Sequence, residues 1–298
     1  MLDAHSVQPL LASILCAIFA GMLLQQWRVR RKPYQIIWVF GLTCYAIAAG
    51  ADAAGRIGEW NEPLYRAWYF FGAIAVAAWL GLGEIFLFRT GAFGELVALG
   101  VFAGSIPAMI RGGRLLGAHT VGPAQEAIAI GLTGIAAAGV LALVAWERPK
   151  WLGHVALFIL LAGSIYAGGQ VLFAPVDLTS ATDPATGVPT GGGFPESVRL
   201  LTPLFNIGGA CAMLFGAVYS AWTYARRKGS GERVVSNVLI ALGAFAPSLT
   251  STLNRFGFTS VFYWGELLGV VLIFAGFLVS SEVFARRLRT RVTVHGTA

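Results

Sequence analysis

Apolar residues run along this chain in long blocks, and short polar or basic groups separate them. A block of about 18 or more apolar residues reads as a membrane-spanning helix, because each residue adds ~1.5 Å of rise and the hydrocarbon layer is ~30 Å thick. The pattern predicts nine spans, at about 8–27, 34–54, 64–88, 93–111, 124–146, 151–173, 200–225, 234–253 and 259–285. Pro107 in the fourth block and Pro247 in the eighth mark places where a kink or break is expected. One connection is long: "APVDLTSATDPATGVPTGGGFPES", Ala174 to Ser197, is rich in Pro, Gly, Thr and Ser. It reads as an outer loop, either flexible or folded over the mouth of the protein.

The predicted fold is therefore an all-α polytopic membrane helix bundle, a single integral membrane domain over residues 1–298. Composition agrees. The chain is 57% hydrophobic and 12% charged, against about 25% charge in a soluble domain. Its mean hydropathy is +0.72.

The net charge of +7 invites a nucleic-acid reading. The basic residues, however, cluster between the spans, where they act as topology signals, so nucleic acid is not expected as a partner. With the N-terminus outside, the outer side would hold Arg56, Arg66, Arg111, Arg114, Arg199 and Arg255, and every other Lys and Arg would lie inside. This fits the positive-inside rule, favours an odd number of spans and places the C-terminus in the cytoplasm. The expected location is the cell (inner) membrane. The first block precedes its basic cluster Arg28, Arg30, Arg31 and Lys32, whereas a cleaved signal peptide follows one. The first helix is expected to be retained.

The first and seventh blocks can be laid over each other. Cys16, Ala17, Gly21 and Trp27 match Cys211, Ala212, Gly216 and Trp222 at the same offsets, and the blocks close on Lys32 and Lys228. "GRIG" after the second block matches "NRFG" after the eighth. Tyr65 precedes Glu84 by the same interval as Tyr263 precedes Glu282. These matches predict a parallel three-helix repeat: repeat A over 8–89 and repeat B over 200–286, with connecting helices at 93–173 and an outer loop at 174–198. Glu84, in "GEIFLFR", should then sit about five residues, or ~7 Å, from the inner boundary. From there it could reach Arg89 or the basic tail. Gly100/Gly104 and Gly265/Gly269 have the spacing that permits close helix crossing.

Polar groups within spans are costly and often functional. Here they favour the outer half. Asp52 and Arg56, and Glu62 and Arg66, are spaced for ion pairs one helical turn apart. Tyr166 and Gln170 share a face, as do Thr202 and Asn206. Glu266 lies below Tyr263 and Trp264, with Arg255 as a candidate partner. The ligand-binding set expected from this pattern is Asp52, Arg255, Glu266, Tyr166, Gln170 and Asn206, lining an outward-facing polar cavity.

The chemistry of known catalytic centres is not apparent. Lys32, Lys150 and Lys228 are all in loops, and no pair of histidines faces across spans. There is no HExxH, no GxSxG and no phosphate loop. Cys16, Cys44 and Cys211 follow no disulfide or zinc spacing. No catalytic residue, metal or cofactor is expected, and an enzyme is the less favoured class. The leading reading is a membrane protein that binds or transports a small molecule or ion. The alternatives are a non-catalytic membrane sensor or an anchoring subunit with membrane-protein partners. A weaker one is a lipid-headgroup enzyme, with Arg56, Arg111, Arg114 and Arg255 holding phosphate.

Overall fold

The computed structural model describes residues 4–88, 90–184, 187–226, 231, 235–236, 238–240, 242–243, 246, 264–265 and 267–279. Among these, seven helices are long and apolar enough to cross a membrane. They are the first (Ala4–Arg30), second (Pro33–Ile57), third (Glu62–Leu87), fourth (Gly91–Gly117), fifth (Val121–Glu147), sixth (Pro149–Phe173) and seventh (Glu196–Arg226). Pro107 lies inside the fourth helix, which runs on through it to Gly117. The eighth and ninth predicted spans lie largely outside the described residues. Within them a shorter apolar helix, Leu267–Val279, is described.

The chain divides into two compact units, Met1–Met213 and Leu214–Ala298. In the first, the second and third helices are antiparallel, since Gly41 faces Leu80 and Gly83 faces Trp38. The fourth and fifth are antiparallel too, with Gly112 against Ile128 and Gly131 against Met109. The third and sixth also run opposite ways, through Gly168 on Phe70 and Gly153 on Phe86. The third and seventh helices are parallel: Tyr69 meets Thr202, and Ala73 meets Asn206 one turn on. One end of this unit therefore carries the links after the second, fourth and sixth helices, and is called the loop face. The other carries Arg30, Lys32 and Lys150, and is called the basic face.

Small residues set the helix spacing. A Cβ on Gly81 would stand 2.7 Å from the Gly209 carbonyl oxygen, and one on Gly104 the same distance from that of Pro203. A Cβ on Gly100 would lie 2.8 Å from the Cys211 Cβ. The Gly100/Gly104 pair thus admits the seventh helix to backbone contact, as its spacing predicted. Without water between helices in a bilayer, such close packing is a main source of association energy.

The third helix positions the site. Asn61 caps it, its side-chain oxygen accepting the Leu64 N–H at 3.0 Å. Replacing Asn61 with Ala should cost about 1 kcal/mol of stability, read in denaturant titration of the detergent-solubilised protein. Over Trp68–Ala75 the helix widens into π turns, with the Val76 N–H bonded to the Phe71 carbonyl. Such widened turns are rare and cluster at functional sites.

In the second unit, the buried Ser236 hydroxyl donates to the Gly276 carbonyl at 2.6 Å. A Cβ on Gly243 would stand 2.6 Å from the Gly269 carbonyl oxygen, so two helical segments also touch through glycine there.

Candidate functional site

The connection after the sixth helix is a folded cap. Short 3₁₀ turns form at Leu178–Ser180 and Gly191–Gly193, and Thr182 pairs with Pro189 in an antiparallel bridge. Backbone bonds close it, from Thr190 N–H to the Ala181 carbonyl (2.7 Å) and from Asp177 N–H to that of Gly193 (2.9 Å). Its own Ala181, Val188 and Phe194 are buried, as is Val198 at the start of the seventh helix. The connection is thus folded, and it is bonded to the second and third helices through Arg56 and Tyr65.

Three side chains of the second and third helices hold the cap. Tyr65, fully buried, donates its hydroxyl to the Thr190 carbonyl at 2.6 Å and accepts the Gly193 N–H at 3.1 Å. Its ring stacks on Phe194, with centroids 5.0 Å apart, and on Trp68, at 5.7 Å. Arg56 donates to the Gly187 carbonyl at 3.0 Å, and Gly187 has a positive φ of 63°, a conformation that favours glycine. Arg66 donates to the carbonyls of Val171 and Ala174, the latter at 2.8 Å, satisfying acceptors at the end of the sixth helix. Arg66 also pairs with Glu62, as the spacing predicted.

Asp177 braces the cap from within. Its carboxylate accepts the hydroxyls of Thr179 (2.6 Å) and Ser180 (2.8 Å) and the Thr179 N–H (3.0 Å). These donors, that of the Thr179 side chain first, hold the exposed carboxyl below its ordinary value of 3.8. A depressed value contributes stability that is complete above the ordinary value and is lost as pH falls through the lower, folded-state one. Acidification should therefore loosen the cap, and Asp177→Asn should remove that acid-side step, followed through the fluorescence of Trp60 and Trp68. An unchanged acid profile in the variant contradicts the assignment.

The predicted ligand set is placed as follows. Asp52 is buried and pairs with Arg56 at 2.9 Å, the predicted one-turn ion pair. Asn206 donates from Nδ2 to the Ala73 carbonyl, inside the widened turns, at 2.8 Å. Its Oδ1 is buried and has no hydrogen-bond partner among the described residues. One turn before it, Thr202 shares a hydrogen bond with the Tyr69 hydroxyl at 2.8 Å. Asp52 and Asn206 thus lie on helices that flank the third; Asp52 is tied through Arg56 to the cap at Gly187, and Asn206 is tied to the third helix at Ala73. Tyr166 is 53% exposed on the sixth helix, and Gln170 one turn on is half-buried. Arg255 and Glu266 lie outside the described residues. Of the arginines considered for phosphate, Arg56 serves Asp52, and Arg111 pairs with Glu196 at 2.5 Å.

The structure adds roles that sequence spacing did not assign. Tyr65 joins the third helix to the cap by hydrogen bonds, Tyr69 packs its ring on Phe194 of the cap, and Ser164 has a buried hydroxyl with no partner among the described residues. Ser164 lines an apolar cleft of about 300 Å³ with Phe40, Phe70, Ala75, Trp79, Leu161, Ile165 and Gly168. None of Asp52, Tyr166, Gln170 and Asn206 lines that cleft. Among the described residues, no group of His, Cys, Asp and Glu could hold a metal ion. Comparison with protein-family models, with curated proteins and with solved structures finds no match.

Proposed function

We propose that this membrane protein binds a small polar molecule or ion at its loop face, beneath the cap, as a carrier or receptor. The observation that carries the reading is the Asn206 side chain. A buried acceptor left without a partner costs about 1–3 kcal/mol, so an orphan in a native fold calls for a ligand or ordered water. It lies beside the widened turns of the third helix and one turn from Thr202 and Tyr69. A ligand carrying an N–H or O–H donor would satisfy Oδ1. The Asp52–Arg56 pair, which reaches the cap at Gly187, would tie occupancy to cap position. Tyr166 and Gln170, on the sixth helix, are the other described members of the proposed set, and Arg255 and Glu266 are kept in it from their sequence alone.

The parallel three-helix repeat belongs to the same reading. It is supported by a shared detail at matching positions: Arg31 lies over the Trp27 ring at 4.7 Å, and Arg226 over the Trp222 ring at 4.0 Å. The distribution of basic residues supports the orientation, with the loop face outside and the basic face in the cytoplasm. The test is a thermal-shift screen of polar metabolites and inorganic ions on the purified protein. Arg255→Ala and Glu266→Gln should each abolish the stabilisation seen with wild type. Stabilisation unchanged in both variants removes those two residues from the site.

A second reading, an anchoring subunit, has one observation in its favour. Phe158, Ile165 and Leu172 recur every seven residues along the sixth helix and are 74%, 76% and 60% exposed, an apolar ridge suited to a partner helix as well as to lipid. Fixed-ratio co-purification with another membrane protein would favour it.

A further inference from the structure

We propose that Glu84 is a proton-binding site, carried as a neutral carboxylic acid in the last turn of the third helix. The inference does not rest on the loop-face reading, since it concerns the opposite end of the unit. Glu84 is 9% exposed. It makes no hydrogen bond or ion pair with any described residue, whereas Asp52, Glu62 and Glu196 are each paired with an arginine. The surroundings are apolar or already committed. The position before it, Gly83, abuts the Trp38 ring, whose Nε1 donates to the Leu80 carbonyl at 3.2 Å. Phe86 lies against Gly153, and its ring meets that of His154 at 5.4 Å.

Position on the helix adds to this. The Phe88 N–H bonds the Glu84 carbonyl at 2.8 Å, so Glu84 belongs to the C-terminal turn, where the helix dipole is negative and opposes a carboxylate. An ionised, unpaired carboxylate is costly to bury, and such a group takes up a proton instead. The titratable groups that the described helices of this unit and their links bring to this end are Arg28, Arg30 and Arg31 at and just after the end of the first, Lys32 and Tyr34 at the start of the second, Glu95 on the fourth, Glu147 and Arg148 at the end of the fifth, and Lys150 and His154 on the sixth. None of them pairs with Glu84. Arg89, the partner expected from sequence, and Glu282, the repeat counterpart, lie outside the described residues. Glu84 is three residues from Leu87, or ~4.5 Å along the axis. A proton can therefore exchange with water at the basic face without crossing the membrane. The ligand is the proton, and the consequence is a chain that registers pH at that face.

The test uses the full chain in lipid nanodiscs and dicyclohexylcarbodiimide, an apolar reagent that attacks protonated carboxyls. The acid proton moves to a carbodiimide nitrogen and the carboxyl oxygen adds to the central carbon. Acyl transfer from oxygen to nitrogen then leaves a stable N-acylurea. Peptide mass mapping should find the adduct on Glu84 at neutral pH, not on Glu62 or Glu196, and should find it lost in alkaline buffer. Infrared spectra should show a carboxylic-acid carbonyl band at neutral pH that Glu84→Gln lacks. If Glu84→Gln does not fold, the mapping on wild type decides alone. An unmodified Glu84 at neutral pH, or equal modification of Glu62 and Glu196, overturns the proposal.

Discussion

Gly209→Ala is expected to destabilise the bundle by about 3 kcal/mol, near the upper end for overpacking a tight interface. The added methyl would meet the Ala77 carbonyl and the Ala78 nitrogen, which are backbone atoms and cannot rotate away as a side chain can. The third and seventh helices would have to separate, which would stretch the Asn206–Ala73 and Tyr69–Thr202 bonds above it. Gly139→Ala is the control. It sits on the fifth helix with nothing within 4 Å of the new Cβ, and should change stability by about 1 kcal/mol or less, in the favourable direction. Reversible unfolding in mixed micelles separates the two. Equal stability of both variants would mean that the helices do not meet at Gly209.

The second large effect is expected at Tyr65. Tyr65→Ala removes a fully buried ring stacked on Phe194 and Trp68, and both hydrogen bonds to the cap. A loss of about 3–5 kcal/mol is expected, as for other large aromatic truncations in a core. Tyr65→Phe keeps the ring but leaves the Thr190 carbonyl and the Gly193 N–H unsatisfied, and should cost about 1–3 kcal/mol. Hydrogen exchange distinguishes the two contributions. In Tyr65→Phe, faster exchange should be confined to the cap amides of Asp177, Thr190 and Phe194. In Tyr65→Ala it should spread to the third helix. Slow cap exchange in both variants would contradict the role given to Tyr65.

Hydrophobic blocks made the bundle legible from sequence. The predicted spans at 34–54 and 124–146 fall within Pro33–Ile57 and Val121–Glu147, because the apolar stretch needed to cross a bilayer leaves little freedom. One-turn ion pairs were legible for the same reason: Asp52–Arg56 and Glu62–Arg66 depend only on helical spacing. The cap was not. Its composition reads as a loop, and its order comes from long-range partners, above all Tyr65, which lies 125 residues before Thr190. The widened turns at Trp68–Ala75 leave no periodic trace in an apolar run. Glu84 was expected about five residues from the end of its span, whereas the helix ends three residues on, at Leu87. Thr202 and Asn206 were recognised as sharing a face, but not that this face meets the third helix.

Intact-complex mass spectrometry on protein released from its native membrane addresses the occupant of Asn206 most directly. Wild type should carry a polar adduct of low mass that Asn206→Leu, retaining slow cap exchange, does not. Identical spectra for the two proteins, with lipid as the sole non-covalent mass, would contradict the loop-face site.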